Sequence, residues 1–257
     1  MRVLCFTLAV FGMVVALPDP TTKTDRLKQI LSEPYSPNRN AALENLILGL
    51  IEELRETMLN GSDDIPVLDP LEIDHILIDD EILPFPGSKV TINDLNVKKL
   101  ATFEVNDLTV RRTSLILQRY RLQLDGEVSV IDVDVGNYDV LVNAMGFNIF
   151  GNGDAKIKVI QPRIKVDLLV APRISISGIF LNLLECDIKF SLRDFQPNIT
   201  GMFHDNAVSA FVSLFLQNLV GDLLELYEDD INKFLSTTIH EAANEILKDL
   251  NLISILG

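Results

Sequence analysis

The chain has 257 residues, 47% of them hydrophobic, and 22 basic residues face 37 acidic ones for a net charge of −15. That balance repels phosphate backbones and anionic headgroups, so nucleic-acid partners are excluded and docking on anionic membrane is disfavoured. It suits a protein kept in solution at high concentration. Residues 1–16 combine Arg2, an apolar run from Val3 to Val15 and the small Ala16. This is the build of a secretory signal peptide cleaved after Ala16. The run is shorter than the roughly 18 apolar residues of a membrane anchor, and no second stretch reads as long and apolar enough to span a bilayer. Losing Arg2 alone takes the net charge from −15 to −16. Residues 17–257 read as one exported domain, because nothing between Pro70 and Gly201 has linker composition.

The first predicted element is an amphipathic helix over residues 38–60. Ala41, Ala42, Leu46, Ile47, Leu50, Ile51, Leu54 and Met58 recur at helical spacing. Asn38 or Asn40 is placed to cap it, and Asn60-Gly61 to stop it. From 71 to 195 the rhythm becomes that of strands. It runs through Val90-Ile92, Leu95-Val97, Leu115-Leu117, Leu122-Leu124, Ala155-Ile157-Val159, Ile164-Val166-Leu168-Val170 and Ile188-Phe190-Leu192. Pro84, Pro86-Gly87, Asp125-Gly126, Gly136-Asn137, Gly151-Asn152-Gly153 and Pro172 punctuate it. Several of these strands exceed the usual five or six residues, and long strands twist and curl. Helical periodicity returns over 202–250, from Phe203 to Leu226 and from Glu228 to Leu250, bent near Gly221 or Tyr227 or else continuous. The first half is apolar around much of its circumference, which calls for cover on most sides. The predicted class is α+β: a long C-terminal helix wrapped by a highly curved antiparallel sheet, with an N-terminal amphipathic helix.

No reaction centre emerges. His240-Glu241 opens like a zinc-protease helix, but the fourth position after His240 is Asn244, so no metal site is expected, and His75, His204 and His240 read as surface histidines. The segment from Gly146 to Lys156 lacks the glycine-lysine-serine/threonine ending and the following helix of a phosphate cradle, and a hairpin turn at Gly151–Gly153 is expected instead. No nucleophile elbow occurs. Pairs such as Asp63-Asp64, Asp79-Asp80 and Asp229-Asp230 read as solvated acids. Cys186, alone once the signal has gone, lies in a strand and reads as a small hydrophobe rather than a reactive thiol. Asn60-Gly61-Ser62 and Asn198-Ile199-Thr200 are glycosylation sequons.

What remains is apolar capacity, so the expectation is a carrier with no catalysis and no cofactor. A ligand of terpenoid or fatty-acid size buries roughly 300–400 Å², worth about 8–10 kcal/mol at ~25 cal/mol/Å² before ordering costs. Phe211, Phe215 and Phe234 are the candidate apolar contacts, with Leu216 and Leu235 beside them. Tyr120, Tyr138, Asn143, Asn148 and Ser175 are the polar types able to orient a ligand's polar end. The alternative is a structural or protein-interaction module of the same fold with a filled core. A cell-surface or carrier partner stays open.

Ile65-Pro66-Val67-Leu68-Asp69-Pro70-Leu71, directly after the first helix, resembles the segment by which insect takeout and haemolymph juvenile-hormone-binding proteins pass from helix to strand. The likeness continues at Phe103-Glu104-Val105, Leu122-Gln123-Leu124-Asp125-Gly126, Gly136-Asn137-Tyr138-Asp139-Val140, Gly146, Gly151 and Asp230-Ile231-Asn232, from about Ala41 to Leu250. It implies a tubular lipid-binding architecture, distantly shared with bactericidal-permeability-increasing-type proteins. It also implies an apolar tunnel accepting juvenile hormone, fatty acids or similar lipids. The chain departs from the family in lacking the N-terminal cysteine pair, as a divergent branch or a relative similar to mite group-7 allergens would.

Overall fold

The computed structural model describes residues 40–62, 65–80, 85–114, 119–144, 147–175 and 178–247. The signal segment 1–16, Asn38, Asp63-Asp64, Pro84, Leu115, Leu117, Gly146 and the end of the last predicted helix at Leu250 lie outside them.

Helix α1 spans Ala41–Asn60. Asn40 is its cap, the carboxamide oxygen accepting the Leu43 N–H at 3.1 Å. Gly61 ends it with φ 72°, where any side chain would be strained, and donates its N–H to the Thr57 carbonyl at 2.8 Å. Among the described residues nine strands follow: β1 Leu71–Ile78, β2 Lys89–Lys98, β3 Glu104–Ser114, β4 Arg119–Glu127, β5 Val130–Ala144, β6 Phe147–Ile160, β7 Arg163–Ser175, β8 Gly178–Ser191 and β9 Asp194–Ile199. A 3-10 turn, Leu100–Thr102, separates β2 from β3. Helices α2, Asn206–Leu226, and α3, Glu228–Leu247, come after β9. The C-terminal helix therefore breaks at Tyr227, one of the two predicted places.

All pairings are antiparallel and fall into a five-stranded sheet, β1-β2-β5-β6-β9, and a four-stranded sheet, β3-β4-β7-β8. The two are halves of one meander. β2–β3, β4–β5, β6–β7 and β8–β9 are long strands, each interrupted once where the chain crosses from one sheet to the other. Three of these interruptions are tied together: Val128 N–H donates to the Pro162 carbonyl, Gln161 N–H to Ser129 and Arg193 N–H to Ile160, at 3.0–3.1 Å. The predicted curved sheet is present, and its two halves meet at this crease.

Each sheet has one apolar and one polar face, as period-2 alternation requires. In the five-stranded sheet one cross-strand row reads Ile73, Leu95, Val135, Ala155, Ile199. Its counterpart on the other face reads Glu72, Asn96, Asp134, Lys156, Asn198. In the four-stranded sheet Leu108, Leu124, Val166 and Ile188 oppose Asp107, Asp125, Lys165 and Lys189.

The segment Ile65–Leu71 ties α1 to the crease. Leu68 and Asp69 donate their N–H groups to the Met58 carbonyl at 2.8 and 2.9 Å. The Asp69 carboxylate accepts the N–H groups of Lys99 and Ala101, each at 2.8 Å. Met58 and Leu54 pack with Ala101, Leu68, Leu100 and Phe103 into a small core around it.

Candidate ligand groove

A sheet end exposes a row of unpaired backbone groups that something must satisfy. Three of the four sheet ends, β3, β8 and β9, are covered by a helix. The cover is made of polar side chains at helical spacing rather than apolar ones.

On α3, Asn232, Ser236, His240 and Asn244 recur every fourth residue and so form one stripe. The Asn232 carboxamide oxygen accepts the Phe190 N–H at 2.9 Å, the Ser236 hydroxyl accepts Ile188 at 2.8 Å, and Asn244 accepts Leu183 at 2.8 Å. Asn244 also donates to the Leu183 carbonyl at 3.0 Å, and His240 Nε2 lies 2.9 Å from the same oxygen. His240 is thus half-buried at a strand edge, not a surface histidine. The correction follows from stripe spacing, which puts it beside two other strand-bonding residues.

On α2 the stripe is Ser209, Ser213 and Gln217. Ser209 Oγ accepts the Met202 N–H at 3.0 Å and donates to the Asp205 carbonyl at 2.8 Å. Ser213 Oγ accepts Ile199 at 2.9 Å and donates to the Ser209 carbonyl at 2.9 Å. Each hydroxyl therefore links strand to helix. Gln217 donates to the Asp194 carboxylate at 3.2 Å. On α1 the buried Glu44 carboxylate accepts the Val110 N–H at 2.9 Å, and Asn40 N–H donates to the Val110 carbonyl at 2.8 Å. Arg55 donates to the Ala101 and Phe103 carbonyls at 3.0 and 2.6 Å.

The four-stranded sheet consequently has a helix along both banks, α1 at β3 and α3 at β8. Beneath the helices Leu108, Val110, Leu183 and Ile188 are buried, whereas Leu122, Leu124, Val166, Leu168 and Val170 on the two middle strands stay half-exposed. Covered margins and an open apolar floor describe a groove. In the five-stranded sheet Val135, Tyr138, Ala155 and Met202 form a core under Val212 of α2. There Leu71, Ile73, Ile76, Val90, Ile92, Val140 and Ile157 remain half-exposed.

The predicted site residues separate. Tyr120 lies on the apolar floor of the four-stranded sheet, in the row Arg112, Tyr120, Val170, Leu183, with the Arg112 guanidinium 5.5 Å from its ring centre. Tyr138 is buried in the five-stranded half, and its hydroxyl donates to the Thr200 carbonyl. Burial raises the pKa of that hydroxyl. Asn143 holds the turn before β2, its carboxamide donating to the Gly87 carbonyl at 3.1 Å and its N–H to Ser88 Oγ at 2.9 Å. Asn148 pairs with Asn143 across the β5–β6 hairpin and is exposed. Phe211 and Phe215 are 66% and 52% exposed on the side of α2 away from β9, their rings stacked 6.4 Å apart. Phe234 is 58% exposed on α3. Leu216 and Leu235 are half-buried beside them. Ser175 falls at the end of β7.

The apolar circumference of α2 is therefore not covered all round, contrary to the expectation from its composition. The sheet takes its serine stripe and leaves Phe211, Leu214 and Phe215 outward. The view that no second segment is long and apolar enough to span a bilayer is also corrected. α2 has 21 residues, with a mean hydropathy of 1.6 over its most apolar window, 6% of which is buried. Scattered serines hid this from a search for an unbroken apolar run.

Cys186 stands on the apolar floor opposite Leu168, half-buried, its thiol pushed up to about 11 by burial and then by Asp187. A polar cleft of about 330 Å³ lies on the opposite face of this sheet, among Asp107, Gln123, Asp125, Lys165 and Asp187. Two of its carboxylates are held by arginines at its margin. Arg163 donates to Asp125 at 2.7 Å and holds that carboxyl below its ordinary range, while Arg121 donates to Asp167 at 2.6 Å. No group of three or more histidine, cysteine or acidic residues able to hold a metal occurs among the described residues. Sequence reading missed the polar stripes and Arg112. The first were legible as polar residues at strict fourth-residue spacing, the second as a cation in the alternation Leu108, Val110, Arg112.

The crystal structure of takeout 1 from Epiphyas postvittana is similar to this chain at a TM-score of 0.50 and 16% identity, over 83% of this chain and 94% of that one. A lipopolysaccharide binding protein reaches a TM-score of 0.36 at 12% identity, over 83% of this chain and 38% of that one, too low to bear on the fold. No curated protein matches. The profile of the haemolymph juvenile hormone binding proteins matches residues 12–256, so the chain belongs to that family.

Proposed function

We propose that the protein is a secreted, non-catalytic carrier that holds a small hydrophobic ligand against the apolar faces of its curved sheet. The observation that carries this is the half-exposed apolar floor between α1 and α3. Continuous apolar surface flanked by polar margins marks a binding site. The alternative, a filled core, calls for these middle-strand residues to be buried like those beneath the helices. Family membership supports a binding role, with juvenile hormone, a fatty acid or another terpenoid or lipid as the ligand class. Affinity between micromolar and nanomolar follows from the area such a ligand buries after ordering costs.

Export rests on residues 1–16, with glycans expected at Asn60 and Asn198. Both asparagines are exposed, Asn60 at the end of α1 and Asn198 on the polar face of β9. Expression in a secreting eukaryotic host should yield a medium protein beginning at Leu17 whose mass falls on glycosidase treatment. Native mass spectrometry and solvent extraction of that protein should reveal a bound lipid. A product that is persistently empty and indifferent to a neutral fluorescent lipid probe would overturn the carrier reading.

A further inference from the structure

We infer that the end of the five-stranded half away from the crease is a docking tip for a lipid surface without net charge, the zwitterionic face of a phosphatidylcholine membrane. Among the described residues six phenylalanines are exposed, and five of them gather here. Phe147 and Phe150 come from the start of β6, Phe203 from the approach to α2, and Phe211 and Phe215 from its first half. A bridge between Gly151 and Met202 joins the pieces, and the Phe150 and Phe203 rings meet with centres 4.7 Å apart. Phe147, at 75%, is the most exposed large apolar residue among those described.

The one-polar-face rule of the sheet fails at this end. The β5–β6 hairpin carries Val142 and Ile149 on one face and Leu141 and Phe150 on the other. The outward side of α2 also changes along its length. It presents Ala207, Phe211, Leu214 and Phe215 near the tip, then Asn218, Asp222 and Glu225 toward the crease. A helix with serines turned to a strand and phenylalanines turned to solvent suits a boundary between hydrocarbon and water. Apolar side chains that project from both faces of a hairpin are not covered at once by a flat two-fold contact with a second copy, whereas lipid surrounds them. The charge agrees. Neither residues 139–153 nor 201–226 include a lysine or arginine, and the chain's net −15 repels anionic headgroups. Asp205 at the tip is bound to the α2 N-terminus, accepting the Ala207 and Val208 N–H groups at 2.7 and 3.0 Å.

Docking does not rest on the carrier reading and is measured with vesicles alone. The full mature chain should sediment with sucrose-loaded phosphatidylcholine vesicles, and phosphatidylserine in them should weaken binding at low salt. Phe211→Ser with Phe215→Ser should weaken the partition about tenfold or more, while Phe234→Ser on α3 should leave it within about twofold. The chain has no tryptophan, so Phe147→Trp supplies a single emitter on a conservatively altered fold. Its fluorescence should shift to the blue on vesicles and be quenched by brominated phosphatidylcholine, and that of Phe234→Trp should do neither. A chain that stays in the supernatant, or one that binds only when phosphatidylserine is present, overturns the proposal. So does binding that the tip substitutions leave unchanged. A dimer seen by light scattering, lost in the Phe211→Ser, Phe215→Ser chain and unaccompanied by vesicle binding, overturns it in favour of a second copy.

Discussion

The two halves of the meander solve the same problem differently. The four-stranded half has a helix on each bank, and its floor carries the Arg112–Tyr120 row. Among the described residues the five-stranded half has one helix, α2 along β9, while β1 ends the sheet on the other side. Where both banks are held by side-chain-to-backbone bonds, the apolar floor need not be filled to be kept in place. Where one bank is held, packing takes over, as in the core of Val135, Tyr138, Ala155 and Met202 under Val212.

That contrast breaks most readily at α3. Replacing Asn232, Ser236 and Asn244 together by alanine strips the acceptors from three β8 N–H groups and should cost about 4 kcal/mol in urea unfolding, at 1–3 kcal/mol per orphaned group. The pair Ser209→Ala and Ser213→Ala on α2 should cost about 2–3 kcal/mol, since two groups are orphaned there. A larger loss on the α2 side than on the α3 side would reverse the comparison. Ile188→Ala, at a position 1% exposed under α3, should cost about 3 kcal/mol by cavity formation and leave the α2 side untouched.

Cys186 reports the floor directly. With its thiol near 11 against an ordinary 9.0, native alkylation by iodoacetamide at pH 8 should be slower than that of the urea-unfolded chain by about a hundredfold. A rate matching the unfolded chain would show the floor to be as wet as solvent.

Asp194 sharpens the α2 side. Hydrogen bonds from Gln196 and then Gln217 hold its carboxyl below the ordinary 3.8, so its contribution is fully present above that value. It is lost as pH falls through the lower folded value, because the unfolded chain takes up the proton first. Below pH 4, hydrogen exchange should quicken at the α2–β9 contact before it does at α3–β8. The smallest effect is expected from Phe211→Ser and Phe215→Ser, within about 0.5 kcal/mol of the parent because both rings are mostly exposed.

Much of this was legible in the sequence for a simple reason: periodicity is local. The 3.6 spacing of Leu50, Leu54 and Met58 and the alternation through Ile164, Val166 and Leu168 declare helix and strand without knowledge of any partner. Alternation also determines that each sheet has one apolar face, and Ile65–Leu71 announces the family through residues that tie α1 to the crease. Tertiary structure alone decided which surface each helix turns inward. Composition made α2 an apolar rod in search of cover, yet free N–H groups at a strand edge outrank apolar area in choosing its contact face, because a buried donor left without a partner costs more than an exposed phenylalanine. Register across strands more than forty residues apart was likewise needed to set Arg112 beside Tyr120, Val170 and Leu183 in one row of an apolar floor.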